Sequence, residues 1–147
     1  MRRSAALCAG VCVLTACGGH SASRAAQRAV AASFAHALIE GHVTRAQALL
    51  AHGVDPVVPE LVRRLAAPAR LHPGRIRSAG SEEERNRWTF AYFRQVTKPD
   101  GSFTRETGQV VVDLTGGGSP AVRFFGLRGR EITYSTHHDA VLLPSKR

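Results

Sequence analysis

The feature that most constrains this chain is a change of hydrophobic period near Pro68. Before it, Val30, Phe34, Ala37, Leu38 and Gly41 recur at i, i+4, i+7, i+8 and i+11, one face of a helix. After it the pattern alternates. Trp88, Phe90 and Tyr92 fall on one face and Thr89, Ala91 and Phe93 on the other, then Val110, Val112 and Leu114 alternate against Gln109, Val111 and Asp113. Helices first and a run of strands with hairpin turns afterwards make an α+β layout, in which a long amphipathic helix lays its apolar face on one side of an antiparallel sheet.

The punctuation refines this layout. Helix is expected from Ala25 to Ala51 with a stop at Gly41, and Thr44 with Gln47 reads as a capping box opening a second short helix through Leu50. Asp55-Pro56 restarts the chain, and Leu61, Val62 and Leu65 suggest a third helix ending near Pro68. Arg75 to Ala79 is a weak strand, Glu82 to Glu84 a solvated connection, and Trp88 to Val96 the clearest strand. Lys98-Pro99-Asp100-Gly101 is turn chemistry, because Pro fixes φ and Gly admits positive φ. A strand from Phe103 to Leu114 and a turn at Gly116 to Gly118 follow, and Ala121 to Leu127 is expected to pair with Glu131 to Thr136 across Arg128-Gly129. There are no internal repeats and no heptads.

The N-terminus carries a different signal. Arg2 and Arg3 precede an uncharged run from Ala5 to Ala16, too short to span a bilayer at ~20 residues but suited to the apolar core of an export signal. The run closes on Leu14-Thr15-Ala16-Cys17, which resembles the lipobox of the bacterial lipoprotein family. The resemblance implies that residues 1–16 are removed and that Cys17 carries the lipid. An ordinary signal peptide cut after Ala16 is the alternative, and Leu14 argues against it, since such sites want a small residue three before the cut. Residues 17–24 then form the lipidated cysteine and tether, 25–136 one domain, and 137–147 a tail. The expected setting is the extracytoplasmic face of the cell membrane.

Cys8 and Cys12 fall within the removed segment and none follows Cys17, so no disulfide is expected in a compartment that would permit one. Stability must come from the core. Without Arg2 and Arg3, 18 of the 20 basic residues remain against 11 acidic ones, a net charge of +7. In this compartment nucleic acid is not a routine partner. Attraction to anionic head groups or wall polymer is one reading of the charge, with Arg24, Arg28, Arg63 and Arg64 as candidates for a basic face. The other is compositional: only Lys98 and Lys146 are lysine, a skew that fits GC-rich coding such as that of actinobacteria.

The stretch from Val30 to Leu50, a small-residue helix around Phe34 followed by Gly41-His42 and Ala46-Gln47-Ala48-Leu49-Leu50, resembles the opening of the NTF2-like, or SnoaL-like, superfamily. The resemblance implies a bent antiparallel sheet wrapped around the long helix as a cone with a pocket. Among its members are ketosteroid isomerases, which use a carboxylate base and a tyrosine beside a protonated Asp. Here the tyrosine position falls on Phe34 and the base at or near Val58, with Asp55 the nearest carboxylate, so that chemistry is not carried over.

Other candidates remain. His36 and Glu40, at i and i+4, form an acid–base pair if they line a cone mouth, or a surface hydrogen bond if they do not. Phe34, Trp88, Phe90, Tyr92 and Phe124 are candidate pocket walls for an apolar ligand, with Arg94 or Arg123 meeting an anionic end, or else plain core and sheet surface. His137-His138-Asp139 invites a metal reading, but adjacent strand residues point to opposite faces, and a solvated terminal segment fits better. No catalytic residue, cofactor or metal ligand is assigned. Three functions stay open: a non-catalytic domain binding an envelope protein or a small apolar ligand, an isomerase- or hydratase-type enzyme of the same fold, and an accessory protein resting on anionic lipid or polymer.

Overall fold

The computed structural model describes residues 22–67 and 72–135, and for Tyr134 and Ser135 the backbone alone. The export signal, Cys17 and His137-His138-Asp139 lie outside the described residues. Three helices, α1 (Arg24–Glu40), α2 (Val43–Ala48) and α3 (Val57–Ala66), precede five strands. These are β1 (Arg75–Ile76), β2 (Ser81–Glu84), β3 (Arg87–Thr97), β4 (Phe103–Leu114) and β5 (Val122–Ser135). All strands pair antiparallel in the order β1-β3-β4-β5, with β2 also on β3, and the sheet is open rather than closed into a barrel. The fold is α+β, helices packed on one face of the sheet.

Ser23 starts α1 by accepting the Ala26 N–H on its side chain, and Gly41 ends it in the left-handed region while the His42 N–H returns to the Ala37 carbonyl. The alanines at 31, 35 and 37 are fully buried and let the helix lie close to the strands, with Phe34, Leu38 and Ile39 filling the space between them. Phe34 meets Phe125 of β5 edge-on at 4.9 Å between ring centroids. Fully burying such a side chain stabilises the fold by about 1.5–3 kcal/mol. At the far end of α1 the chain before β1 passes through a gap that admits only glycine: the Gly74 N–H donates to the Ile39 carbonyl, and a Cβ there would lie 2.2 Å from Ile39 Cγ2 and 2.8 Å from Arg94 Cβ.

Several expectations need correction. Glu82 to Glu84 is not a solvated connection but most of strand β2, its backbone satisfied by β3. The hairpin expected between Ala121 to Leu127 and Glu131 to Thr136 is not formed over the described residues, which end at Ser135. Val122 to Ser135 is one long strand against β4, with a bulge where Gly129 takes φ 60°. Arg128-Gly129 looked like a turn because a bulge and a tight turn both call for glycine at positive φ. The capping box also fails: His42, the residue before α2, makes no side-chain cap, and Gln47 donates instead to the Pro59 carbonyl. After α2, Leu50 makes a parallel bridge to Val122, which ties the helical layer to the start of β5. β1 is shorter than the expected strand, because Arg77 continues beside β3 through a single bond to the Ala91 carbonyl.

Candidate functional site

The helix-covered face of the sheet changes character along its length. On β3 the inward positions read Trp88, Phe90, Tyr92, Arg94, all buried. Registry places Arg94 opposite Glu106 of β4, and Glu106 opposite Ile132 of β5. The apolar half packs beneath α1, and the polar half reaches the C-terminal end of α3.

That polar half is one connected network. Glu106 is only 4% exposed and accepts hydrogen bonds on both oxygens. The Tyr92 hydroxyl and Arg94 Nη2, at 3.0 Å, donate to Oε1, while Arg130 Nη2 donates to Oε2 at 2.9 Å and Arg94 Nη2 lies 3.3 Å from it. Arg94, 1% exposed, also donates through Nη1 to the Leu65 carbonyl in the last turn of α3. Its Nε has no partner among the described residues. Arg130 reaches this face from the bulge at Gly129, and its guanidinium is partly solvated.

The environment fixes the charge states. Burial alone would raise the Glu106 carboxyl, but the Tyr92 and Arg130 hydrogen bonds and the charges of Arg94 and Arg130 outweigh it and hold the group below the ordinary range. Burial, reinforced by the Glu106 carboxylate, pushes the Tyr92 phenol up, so it stays protonated. The network therefore holds two guanidinium cations, one carboxylate and a neutral phenol, a net charge of +1. It offers a fixed positive field, with no group set to exchange a proton near neutral pH. Ile132 lies beside it on the same face and is 42% exposed.

The sequence-derived candidates do not gather around one space. Phe34, Trp88, Phe90 and Tyr92 are buried together, as core rather than as the wall of an open pocket. Phe124 is 49% exposed on the opposite face of β5, and Phe125 takes the inward place. His36 and Glu40 hydrogen-bond at 3.1 Å, but on the solvent side of α1, so they do not line a cone mouth. Arg123 is exposed, and Arg94 is engaged by Glu106 and Leu65. Asp55, the carboxylate nearest Val58, accepts the Val57 N–H at the start of α3.

Nor do the helix arginines form a uniform basic face. Arg24 pairs with Glu82, Arg63 with Glu60, and Arg28 donates to the Ala79 carbonyl. On the strands Arg128 pairs with Glu83, and Arg87 with Glu84 and Asp113. The charges interleave. At the start of α1 an open cleft of about 900 Å³ is lined by both signs, including Arg24, Glu82, Glu84 and Arg85. Among the described residues, no three His, Cys, Asp or Glu side chains are grouped so that they could hold a metal ion, and no helix is long and apolar enough to cross a membrane.

Glu106 and Arg130 were missed as site residues, although a signal existed. Counting the inward phase of β3 past Tyr92 lands on Arg94, and counting back by twos from Leu114 through Val112, Val110 and Gly108 lands on Glu106. Arg130 carries no such signal, since the bulge shifts its phase. No protein-family profile matches the chain, and no curated protein is significantly similar to it.

Proposed function

We propose that this is an envelope lipoprotein, anchored through Cys17, whose non-catalytic NTF2-like domain binds a small ligand with an apolar body and an anionic end. The ligand sits at the open end of the helix-covered face. The observation that carries this reading is the pairing of surplus positive charge with exposed apolar surface: Arg94 and Arg130 share one carboxylate, and Ile132 lies partly exposed beside them. A carboxylate held ionised and a phenol held protonated support binding over acid–base catalysis. The N-cap at Ser23 supports a short tether, since residues 17–22 span at most ~20 Å at 3.3–3.6 Å per residue. That keeps the domain beside the membrane. The accessory reading has less support, because a face resting on anionic lipid wants unpaired basic residues, and three of the four candidate helix arginines already have partners.

Two measurements test the two halves of the proposal. Cys17→Ser should release the protein from the membrane fraction or leave it unprocessed, and an acylated, membrane-bound variant rules the lipobox out. Titration of the purified protein with decanoate and decanol should show tighter binding of the acid, with the difference lost in Arg130→Gln. Equal binding of both probes, or of neither, rejects the ligand site, and a protein that co-purifies in their place turns the reading toward an envelope partner.

A further inference from the structure

The chain enters the domain at one end of the sheet. Ala22 and Arg24, at the start of α1, line the same open cleft as Arg85 of the β2–β3 turn and Gly116 and Gly117 of the loop between β4 and β5. The acidic residues of this end are already held: Glu82 by Arg24, Glu83 by Arg128, and Glu84 and Asp113 by Arg87. Arg85 and Arg123 are exposed and border a second cleft, of about 220 Å³. Their guanidinium groups have no ion-pair or hydrogen-bond partner among the described residues. Five arginines and four carboxylates give this end a net +1, with Arg85 and Arg123 the unpaired cations. Phe124, next to Arg123 and opposite Asp113, is half-exposed on the outer face of the sheet.

We propose that this end of the domain docks on an anionic membrane surface, with Arg85 and Arg123 meeting lipid phosphates and Phe124 entering the head-group layer. The docking rests on the Cys17 anchor proposed above. Residues 17–22 span at most ~20 Å, so the end where Ser23 begins α1 is the end held nearest the head groups. Anchored by lipid alone, the domain has no preferred face toward the bilayer. Two cations and one aromatic ring supply one, through attraction to anionic lipid and burial of apolar area. The helix side offers less, because Arg24, Arg28 and Arg63 already have partners. Charge also selects lipid phosphate over a second copy of this chain, since two such ends would bring unpaired arginines together. Arg94 lies seven residues beyond Arg87 on β3, about 23 Å away at ~3.3 Å per residue. Docking therefore turns the ligand site away from the membrane.

The test reads fluorophores on the purified lipoprotein reconstituted in vesicles, attached at Ser119→Cys in the exposed β4–β5 loop or at Lys98→Cys in the β3–β4 turn at the far end. Mass spectrometry first establishes that Cys17 is acylated, which also removes its thiol from labelling. An unacylated Cys17 rejects the anchor and the docking with it. In vesicles of phosphatidylglycerol and phosphatidylcholine, the label at 119 should be shielded from acrylamide while the label at 98 stays open. Salt at ~1 M, where the Debye length falls to ~3 Å, should expose it again. Arg85→Gln with Arg123→Gln should lower the ratio of docked to undocked protein about 30-fold, equivalent to ~2 kcal/mol. Arg75→Gln with Arg77→Gln removes the same charge from exposed residues on and just after β1, and should leave the shielding unchanged. All these side chains are exposed, and unchanged circular dichroism verifies each fold. In the acylated protein, three results overturn the docking and leave the anchor standing: no shielding at 119, equal shielding in phosphatidylcholine alone, or equal loss in both double variants.

Discussion

Two halves of one sheet face are built on opposite principles. Beneath α1, Phe90, Val110, Val112 and Phe125 meet Phe34 and Leu38 in a contact that depends on volume and water exclusion. Beside the end of α3, Tyr92, Arg94, Glu106 and Arg130 meet through directed, charge-assisted bonds. The first half gains from every methylene it buries. The second pays a desolvation penalty for each ion and recovers it only when the network is complete. A fold that needed only a core would continue the apolar pattern through positions 94 and 106. The ionic half is therefore the better place to look for what the domain does.

The largest effects should separate the halves by how each responds to a second substitution. Glu106→Leu strands Arg94 without its carboxylate, and should cost about 3–5 kcal/mol in urea unfolding. Adding Arg94→Met should restore most of that loss, because a buried ion pair replaced by apolar groups of similar volume is often near neutral. Phe34→Ala should cost a comparable 3–5 kcal/mol. No change within the network should rescue it. If Arg94→Met fails to compensate Glu106→Leu, the network is not the closed unit its geometry describes.

A smaller effect should appear with acid. The Glu106 carboxyl is held low in the folded protein, so its contribution is present above the unfolded carboxylate value of ~4.3 and is lost as pH falls through the folded value. Stability measured from pH 7 downward should therefore decline below ~4.3. Glu106→Gln should flatten that decline. Phe34→Ala should lower the whole curve and leave its slope unchanged, and a slope altered by Phe34→Ala would mean that the two halves are coupled.

The halves also differed in how legible they were. The 3.6-residue period on Phe34, Ala37 and Leu38 and the alternation from Trp88 and from Val110 located the helix, the strands and their buried faces, because burial enforces a period wherever apolar residues must share a side. The same phase, carried two residues past Tyr92 and four before Val110, would have found Arg94 and Glu106, but charged residues read as surface unless the phase is trusted over the residue type. Glu82 to Glu84 were misread for that reason: their backbone is paired while their carboxylates meet arginines at the surface. Thr44 and Gln47 failed as a cap because Gln47 finds the Pro59 carbonyl, a partner that sequence spacing does not reveal.

The smallest expected effect lies at the joint between the halves. Gly129 has φ 60°, and a Cβ there would meet nothing within 4 Å. Strain is therefore the only cost of adding one, about 1 kcal/mol for Gly129→Ala and less for Gly129→Asn, since Asn tolerates the left-handed region. The bulge shifts the register of β5 between Thr107 and Gln109, and that shift brings Arg130 onto the same face as Glu106. If Gly129→Ala keeps the bulge, the loss should stay near 1 kcal/mol and the acid profile should match the wild type. If the strand instead straightens, Arg130 leaves the face and Glu106 loses one of its two guanidinium partners. The acid-dependent part of the stability should then shrink while the core half keeps its own. A loss as large as that of Glu106→Leu would place the bulge within the network, because strain at one exposed residue does not reach that size.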